Sequence, residues 1–272
     1  MKYALLGSSG FIAKRHKEAI AEIGSEVVLT CDIDSRAKAD FVDYREMLSS
    51  PLIESVDAIS ILTPNYLHAE HIRACLSTNK KVLVEKPVTI NTDFSFLEGV
   101  FIVHQLHFHP LFNDICQAIK NAKEIKAVMK AYRDKEFWDS WKGDELKSGG
   151  VAYILGSHIF DLVLSALPNL KYDIILAEDH NHISQGKILF ETGQELSFVN
   201  QFLNSRDGQE RYVDCDGKKF QLSIKDNLSF EGLHPLVLKA FEGGAESNLE
   251  SAKNYVRLID KIKRFSSQPV LC

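Results

Sequence analysis

Residues 5–13 read LLGSSGFIA, and the fold turns on how this stretch is read. An apolar run stops at Gly7, Gly10 follows three residues later, and Ala13 comes one turn further on. The spacing predicts a strand, a tight turn and the start of a helix. Glycines there let backbone N–H groups and the positive helix end approach a pyrophosphate, while a small Ala13 lets helix and sheet pack closely. Gly7, Ser9, Gly10, Phe11 and Ile12 are the candidate contacts. In the usual G-x-G-x-x-A pattern the first glycine would fall on Ser8, so this is a G-x-x-G-x-x-A variant, which an ordinary strand-to-helix turn also satisfies.

The surrounding rhythm separates the two readings. Short β-rich runs near 2–6, 26–31, 57–62, 81–84 and 100–104 alternate with helical stretches, the first ending at Gly24. That order predicts a parallel sheet covered by crossover helices. Asp32 closes the second run about 20 residues beyond the glycines, where a carboxylate accepts hydrogen bonds from an adenosine ribose. Asp34 is an alternative acceptor. A carboxylate there repels a 2′-phosphate, so NAD is favoured over NADP although Arg36 lies close by.

From about residue 106 the pattern changes. Helices are expected at 110–120, 153–166, 234–243 and 248–264, and strands at 124–132, 172–178, 186–191, 195–202 and 210–223. Successive strands pair antiparallel, so the second half is α+β. The expected architecture is a Rossmann doubly wound parallel sheet over 1–105, followed by an α+β substrate domain with an open, mainly antiparallel sheet over 106–272. The last helix is free to pack back on the first domain, and a cleft between domains is the expected site.

Composition narrows the partners. With 272 residues, 45% hydrophobic and 25% charged, the chain buries one large core or two ordinary ones. A formal charge of -5 without a block of like charges predicts no nucleic-acid or membrane partner. The five cysteines (Cys31, Cys75, Cys116, Cys215, Cys272) are scattered and lack a CxxC pair, which fits reduced thiols and a cytoplasmic setting. The N-terminal apolar run is too short for a signal segment or a membrane span. His104, His107 and His109 lack a third ligand if the region is a strand, so no metal site is expected.

Residues 82–90, VLVEKPVTI, place Glu85 and Lys86 at the carboxyl end of a buried strand and lock the next residue with Pro87. Ligands of open α/β sheets bind beyond strand carboxyl ends, so a rigid element delivers Lys86 to the cofactor crevice. Pro87 disfavours helix at Lys86.

The glycine turn, TPNYLH at 63–68, EKP at 85–87 and GGVAYILGSHIFDL at 149–162 together resemble the Gfo/Idh/MocA sugar oxidoreductases over nearly the whole chain. GFIAKRH at 10–16, LHFHP at 106–110 and SWKGDELKSGG at 140–150 resemble the group acting on UDP-N-acetylglucosaminuronate. The resemblance implies NAD-dependent oxidation of the C3 hydroxyl of a UDP-linked N-acetyl amino sugar uronate, in nucleotide-sugar and lipopolysaccharide biosynthesis. It also implies a 2-oxo acid as hydride acceptor and a dimer or tetramer formed through the open face of the second sheet. Another sugar or inositol dehydrogenase, or a dinucleotide-binding protein with lost or altered catalysis, are the alternatives.

The same resemblance implies that Lys86 and His158 sit at the reacting hydroxyl, and that Thr63, Pro64, Asn65 and His68 line the cofactor. Glu85 either orients Lys86 or contacts the ribose. One group must accept the hydroxyl proton. Bringing a lysine from about 10.4 to near 7 takes roughly 4.6 kcal/mol, whereas a histidine near 6.5 needs almost none. His158 is the cheaper base, and Lys86 remains the alternative. Lys142 and Lys147 are candidates for the anionic groups of such a substrate, with His234 a further candidate nearby. Two departures stand out. Ile154, one turn before His158, occupies a position where the family offers Asp or Asn. The connection after the fourth strand is shorter than the family's by about a dozen residues, leaving about eight for a crossover helix.

Overall fold

The computed structural model describes residues 1–222, 230–247 and 249–267. The chain divides into two compact units: Met1–Thr89 with Asp93–Phe108 and Glu231–Leu249, and Ile90–Thr92 with His109–Phe230 and Glu250–Cys272.

The first unit holds a parallel sheet ordered β2-β1-β3-β4-β5, from β1 (Lys2–Leu6), β2 (Glu26–Cys31), β3 (Ala58–Ile61), β4 (Lys81–Glu85) and β5 (Val100–Val103). β3 and β5 are buried at every position, as expected of strands covered on both faces. Helices α1 (Phe11–Glu22), α2 (Tyr44–Ser49) and α3 (His68–Leu76) follow the first three strands. In α1, Ala13, His16, Ala19 and Ile20 recur at helical spacing, and all four are buried.

Two findings here differ from the sequence reading. A helix from late in the chain, numbered α8 below (His234–Glu242), belongs to the first unit. Its Val237, Leu238 and Phe241 join a core with Tyr3, Leu5, Ile20 and Phe101, each such side chain contributing about 1.5–3 kcal/mol on burial. Contiguity in sequence placed it in the second half; an apolar stripe matching α1 places it here. Secondly, residues 86–99 contain no crossover helix, only bends and turns. The stretch is anchored instead by buried Val88, Phe96 and Leu97, and by Arg73 of α3, which pairs with Asp93 at 2.7 Å and stacks on Phe96.

The second unit is built on a six-stranded sheet ordered β11-β10-β6-β9-β8-β7. In chain order its elements are α4 (Phe112–Asn121), β6 (Glu124–Tyr132), α5 (Lys135–Asp139), α6 (Glu145–Ser148), α7 (Ser157–Ala166), β7 (Tyr172–His180), β8 (Ile183–Phe190), β9 (Glu195–Leu203), β10 (Glu210–Cys215), β11 (Lys218–Gln221) and, after α8, α9 (Leu249–Ser266). β6 and β9 pair parallel and the other neighbours antiparallel. β9 alternates strictly, with Leu196, Phe198, Asn200 and Phe202 buried and its other face half-exposed, the pattern of a sheet with one open face. Phe160 of α7 meets Phe198 edge-to-face at 5.0 Å.

The run expected as one strand over 210–223 is a hairpin, and Ser223 lies outside the described residues, as does Asn248 of the expected last helix. Asp216 and Gly217 both adopt positive φ, 50° and 86°, which reverses the chain in two residues. Of the five cysteines, Cys31, Cys75, Cys116 and Cys215 are free thiols and Cys272 lies outside the described residues. The apolar run Glu145–Ala166 is long enough to cross a membrane by composition, but 83% of its apolar window is buried inside the protein.

Candidate functional site

In the first unit, Gly7 has φ +88°, and a Cβ there would lie 3.0 Å from the backbone carbon and oxygen of Leu62. Only glycine combines that conformation with that approach. The N–H groups of Gly7 and Ser8 donate to the Cys31 carbonyl, tying the turn to the end of β2. Gly10 caps α1 with extended geometry and no side-chain cap. The positive helix end therefore faces outward beside exposed Ser9, Gly10 and Phe11, while Ile12 is half-buried. An anion fits there.

Asp32 is buried, with its Oδ2 accepting from the Ser9 N–H at 2.8 Å and the Ser9 hydroxyl at 2.6 Å, and its Oδ1 accepting from the Asp34 N–H at 2.9 Å. The carboxylate thus joins the glycine turn to the end of β2, and capacity remains on Oδ1 for one further donor. Asp34 forks with Arg36 at 2.9 and 2.8 Å, an arrangement that occupies the cation otherwise available to a 2′-phosphate. Ile33 is 89% exposed between the two acids, an apolar surface that the sequence reading missed although its signal, an apolar residue inside CDID, was present. Replacing Asp32 by alanine is expected to weaken NADH binding about 10- to 100-fold, the worth of hydrogen bonds to a charged group. Fluorescence titration of NADH measures this.

Of residues 82–89, Lys86 alone is not buried. Its neighbours explain the constraint. Glu85 is 6% exposed; its Oε1 lies 2.9 Å from His16 Nε2 and 3.3 Å from His234 Nε2, and its Oε2 accepts the Lys86 N–H at 3.2 Å. On the other side of Lys86, the Pro87 carbonyl faces His68 Nδ1 at 2.9 Å. The Lys86–Pro87 bond is cis. Burial would push the Glu85 carboxyl up, but the His16 and His234 hydrogen bonds and charges outweigh it and hold it below the usual carboxylate range. Burial pulls His16 down. The two directions agree if neutral His16 donates its Nε2–H to ionised Glu85 while the Ser60 hydroxyl, at 3.1 Å, donates to Nδ1.

The structure places three of the residues singled out in the sequence. Glu85, expected to touch the ribose or orient Lys86, is enclosed by histidines and accepts the Lys86 N–H, so it holds the backbone that carries the lysine. His234, expected near substrate, is 1% exposed and holds Glu85 from α8, with Gln105 3.1 Å away. His68, expected to line the cofactor, is fully buried, with both ring nitrogens on main-chain oxygens. Such an imidazole has no surface left for a ligand. Thr63 and Pro64 are half-exposed, and Asn65 is buried. Residues 105–108 form a 3-10 turn rather than a strand, so His107 and His109 do not share a strand face; His109 instead accepts the Leu111 N–H.

In the second unit, a π-helical turn over Ala152–Gly156 runs into α7. Within the buried run 151–160 only Ile154 and His158 are partly exposed, one turn apart. Tyr153 is buried. Lys142 is half-buried, its pKa lowered by burial and by Arg133. Lys147 is exposed and pairs with Asp144 at 3.3 Å. Arg133, absent from the sequence candidates, lies over the rings of Phe137 and Phe202 at 4.9 and 5.3 Å, and burial with nearby Arg211 pushes its pKa down to about 10. Cations that depress one another favour a bound anion.

Residues 1–95 match the GFO_IDH_MocA oxidoreductase family, NAD-binding Rossmann fold. Glucose-6-phosphate 3-dehydrogenase of Bacillus subtilis is 27% identical over 186 residues, 60% of this chain and 52% of that protein, so the match spans about half of that relative. The WlbA (WbpB) dehydrogenase of Thermus thermophilus, solved with NAD and alpha-ketoglutarate, superposes with a TM-score of 0.82 at 26% identity, covering 100% of this chain and 97% of that one. Its structure with NAD and UDP-GlcNAcA gives 0.79 at 25% identity, covering 99% and 95%.

Proposed function

Because residues 1–95 match the GFO_IDH_MocA oxidoreductase family, NAD-binding Rossmann fold, we propose that this chain is an oxidoreductase of that family and oxidises the C3 hydroxyl of a UDP-linked N-acetyl amino sugar uronate with NAD. The observation that carries the reading is the singular exposure of Lys86 in an otherwise buried segment, pinned on both sides at the carboxyl end of β4. A strand end so constrained serves to present one side chain.

The bound nicotinamide supplies the hydride acceptor. Lys86 presents a cation to the hydroxyl oxygen as negative charge develops, and His158 takes the proton, since an imidazole ordinarily titrates near 6.5 and needs little tuning for that task. Lys142 and Arg133 supply cations for the uronate or diphosphate. The relative solved with alpha-ketoglutarate supports a 2-oxo acid as the group that takes the hydride back.

Incubating the protein with NAD and either the UDP-linked uronate, free sugars or inositols, and following nicotinamide absorbance, tests the reading. Turnover confined to the UDP-linked uronate is expected, with regeneration by a 2-oxo acid. Turnover of free sugar or inositol alone would replace it with another dehydrogenase activity. Partly exposed Ile154 beside His158 favours one second reading, a dinucleotide-binding protein without turnover; NADH binding with no oxidation, and oxidation appearing only in Ile154→Asn, would select it.

A further inference from the structure

His68 begins α3 and is fully buried. Its Nδ1 lies 2.9 Å from the Pro87 carbonyl oxygen and its Nε2 lies 2.8 Å from the Thr63 carbonyl oxygen. A carbonyl oxygen only accepts, and a neutral imidazole has a single N–H to donate. At these distances the second nitrogen of a neutral ring would hold its lone pair against a carbonyl lone pair, in a place no water reaches. Both contacts are hydrogen bonds in the imidazolium alone. We infer that His68 is a buried imidazolium that clasps the 63–65 turn to the segment carrying Lys86, acting as a positioning residue for the dinucleotide.

The two clasped segments are the ends of neighbouring parallel strands β3 and β4, where ligands of such sheets bind. Thr63 is fixed from its side chain as well, its hydroxyl lying 2.8 Å from His71 Nδ1. The charged and titratable groups acting on His68 come from both sides. Burial pulls its pKa down and outweighs the upward push of the carbonyls of Thr63, Pro87 and Val88 and of the Glu85 carboxylate of β4, so the ring lies below the ordinary imidazole value. On α3 itself, His71 is pushed down to about 4, first by burial and then by His68, so it adds no charge near neutral pH. Deprotonating His68 leaves one carbonyl facing a lone pair, and one side of the clasp opens. Against the pull of burial stand the two carbonyl contacts at 2.9 and 2.8 Å, which only the charged ring satisfies while both segments stay in place.

The sign of the pH dependence follows. The clasp is complete when the ring is protonated and loosens as pH rises through the folded-state pKa of His68, so NADH affinity falls with rising pH. The positioning role rests on the dinucleotide reading, and two measurements keep the two apart. Nitrogen-15 NMR of the histidine rings in the full chain, from about pH 5 to 8, reports the ring state without cofactor; His68 is expected to show two protonated nitrogens at the lower pH. NADH titration of wild type, His68→Gln and His68→Ala over the same range is expected to show affinity falling with pH in wild type only. At the lower pH, His68→Ala should bind about tenfold more weakly, a change of about 1.4 kcal/mol, and His68→Gln, which donates from one amide, should fall between. A His68 ring with one bare nitrogen throughout would overturn the clasp, and so would an unchanged pH dependence in His68→Gln. Wild-type protein that binds no NADH would overturn the dinucleotide reading instead.

Discussion

Replacing Lys86 by methionine is expected to lower turnover about 10²- to 10³-fold, the effect of removing one positioned electrostatic stabiliser from a reacting oxygen, while NADH affinity stays within about threefold. Methionine keeps an unbranched chain and removes only the cation. The backbone of this segment is held from Glu85 and Pro87, so the fold is expected to stay in place. The other proposed cofactor contacts lie elsewhere, at residues 7–12, Asp32 and the 63–65 turn. Steady-state kinetics beside an NADH titration check both halves. A variant turning over within tenfold of wild type would remove Lys86 from the chemistry, and a parallel collapse of NADH binding would make it a cofactor residue.

Replacing Glu85 by alanine is expected to destabilise the fold by about 3–5 kcal/mol, the loss of hydrogen bonds to a buried charged acceptor at about 1.5–3 kcal/mol each. His16 Nε2 and the Lys86 N–H would each lose an acceptor, the first of them in a fully buried ring. Glu85→Gln, which keeps an oxygen but not the charge, should lose about 1–3 kcal/mol. The pH dependence has a definite sign. The folded-state pKa of Glu85 is depressed, so its stabilisation is fully present above the ordinary carboxylate value of about 4.3 and is lost as pH falls through the folded value. His16 is also depressed, but as a base: the unfolded chain takes up its proton first, so that contribution fades as pH falls below about 6.5. Denaturant melts at about pH 5 and below should show the wild-type advantage over Glu85→Ala shrinking with acid. An advantage independent of pH would mean that the carboxylate is not ionised in the folded chain.

Most of the first unit was legible in the sequence because each parallel strand is a short apolar run closed by its own turn chemistry. KYALL ends at Gly7, EVVLTC at Asp32 and KVLVE at Lys86, and these ends are where the structure places the turn, the carboxylate and the partly exposed lysine. The hairpin over 210–221 was equally available, since Asp216-Gly217 is a strong two-residue turn signal; reading the β-rich run as one strand passed over it. The missing crossover helix was only half legible. Its shortness could be counted, but its replacement by Arg73 on Phe96 depends on a partner about 20 residues away.

Local pattern alone determines the order of elements, the glycine turn, the acid after β2 and the delivery of Lys86, because each is encoded within one turn or one strand. Tertiary structure alone decides that His16, His234 and His68 serve the EKP segment. They come from three helices, and in sequence each looks like a core or ligand histidine. What a buried imidazole does depends on which oxygen faces its nitrogens, and that is settled only when α1, α3 and α8 close around the end of β4.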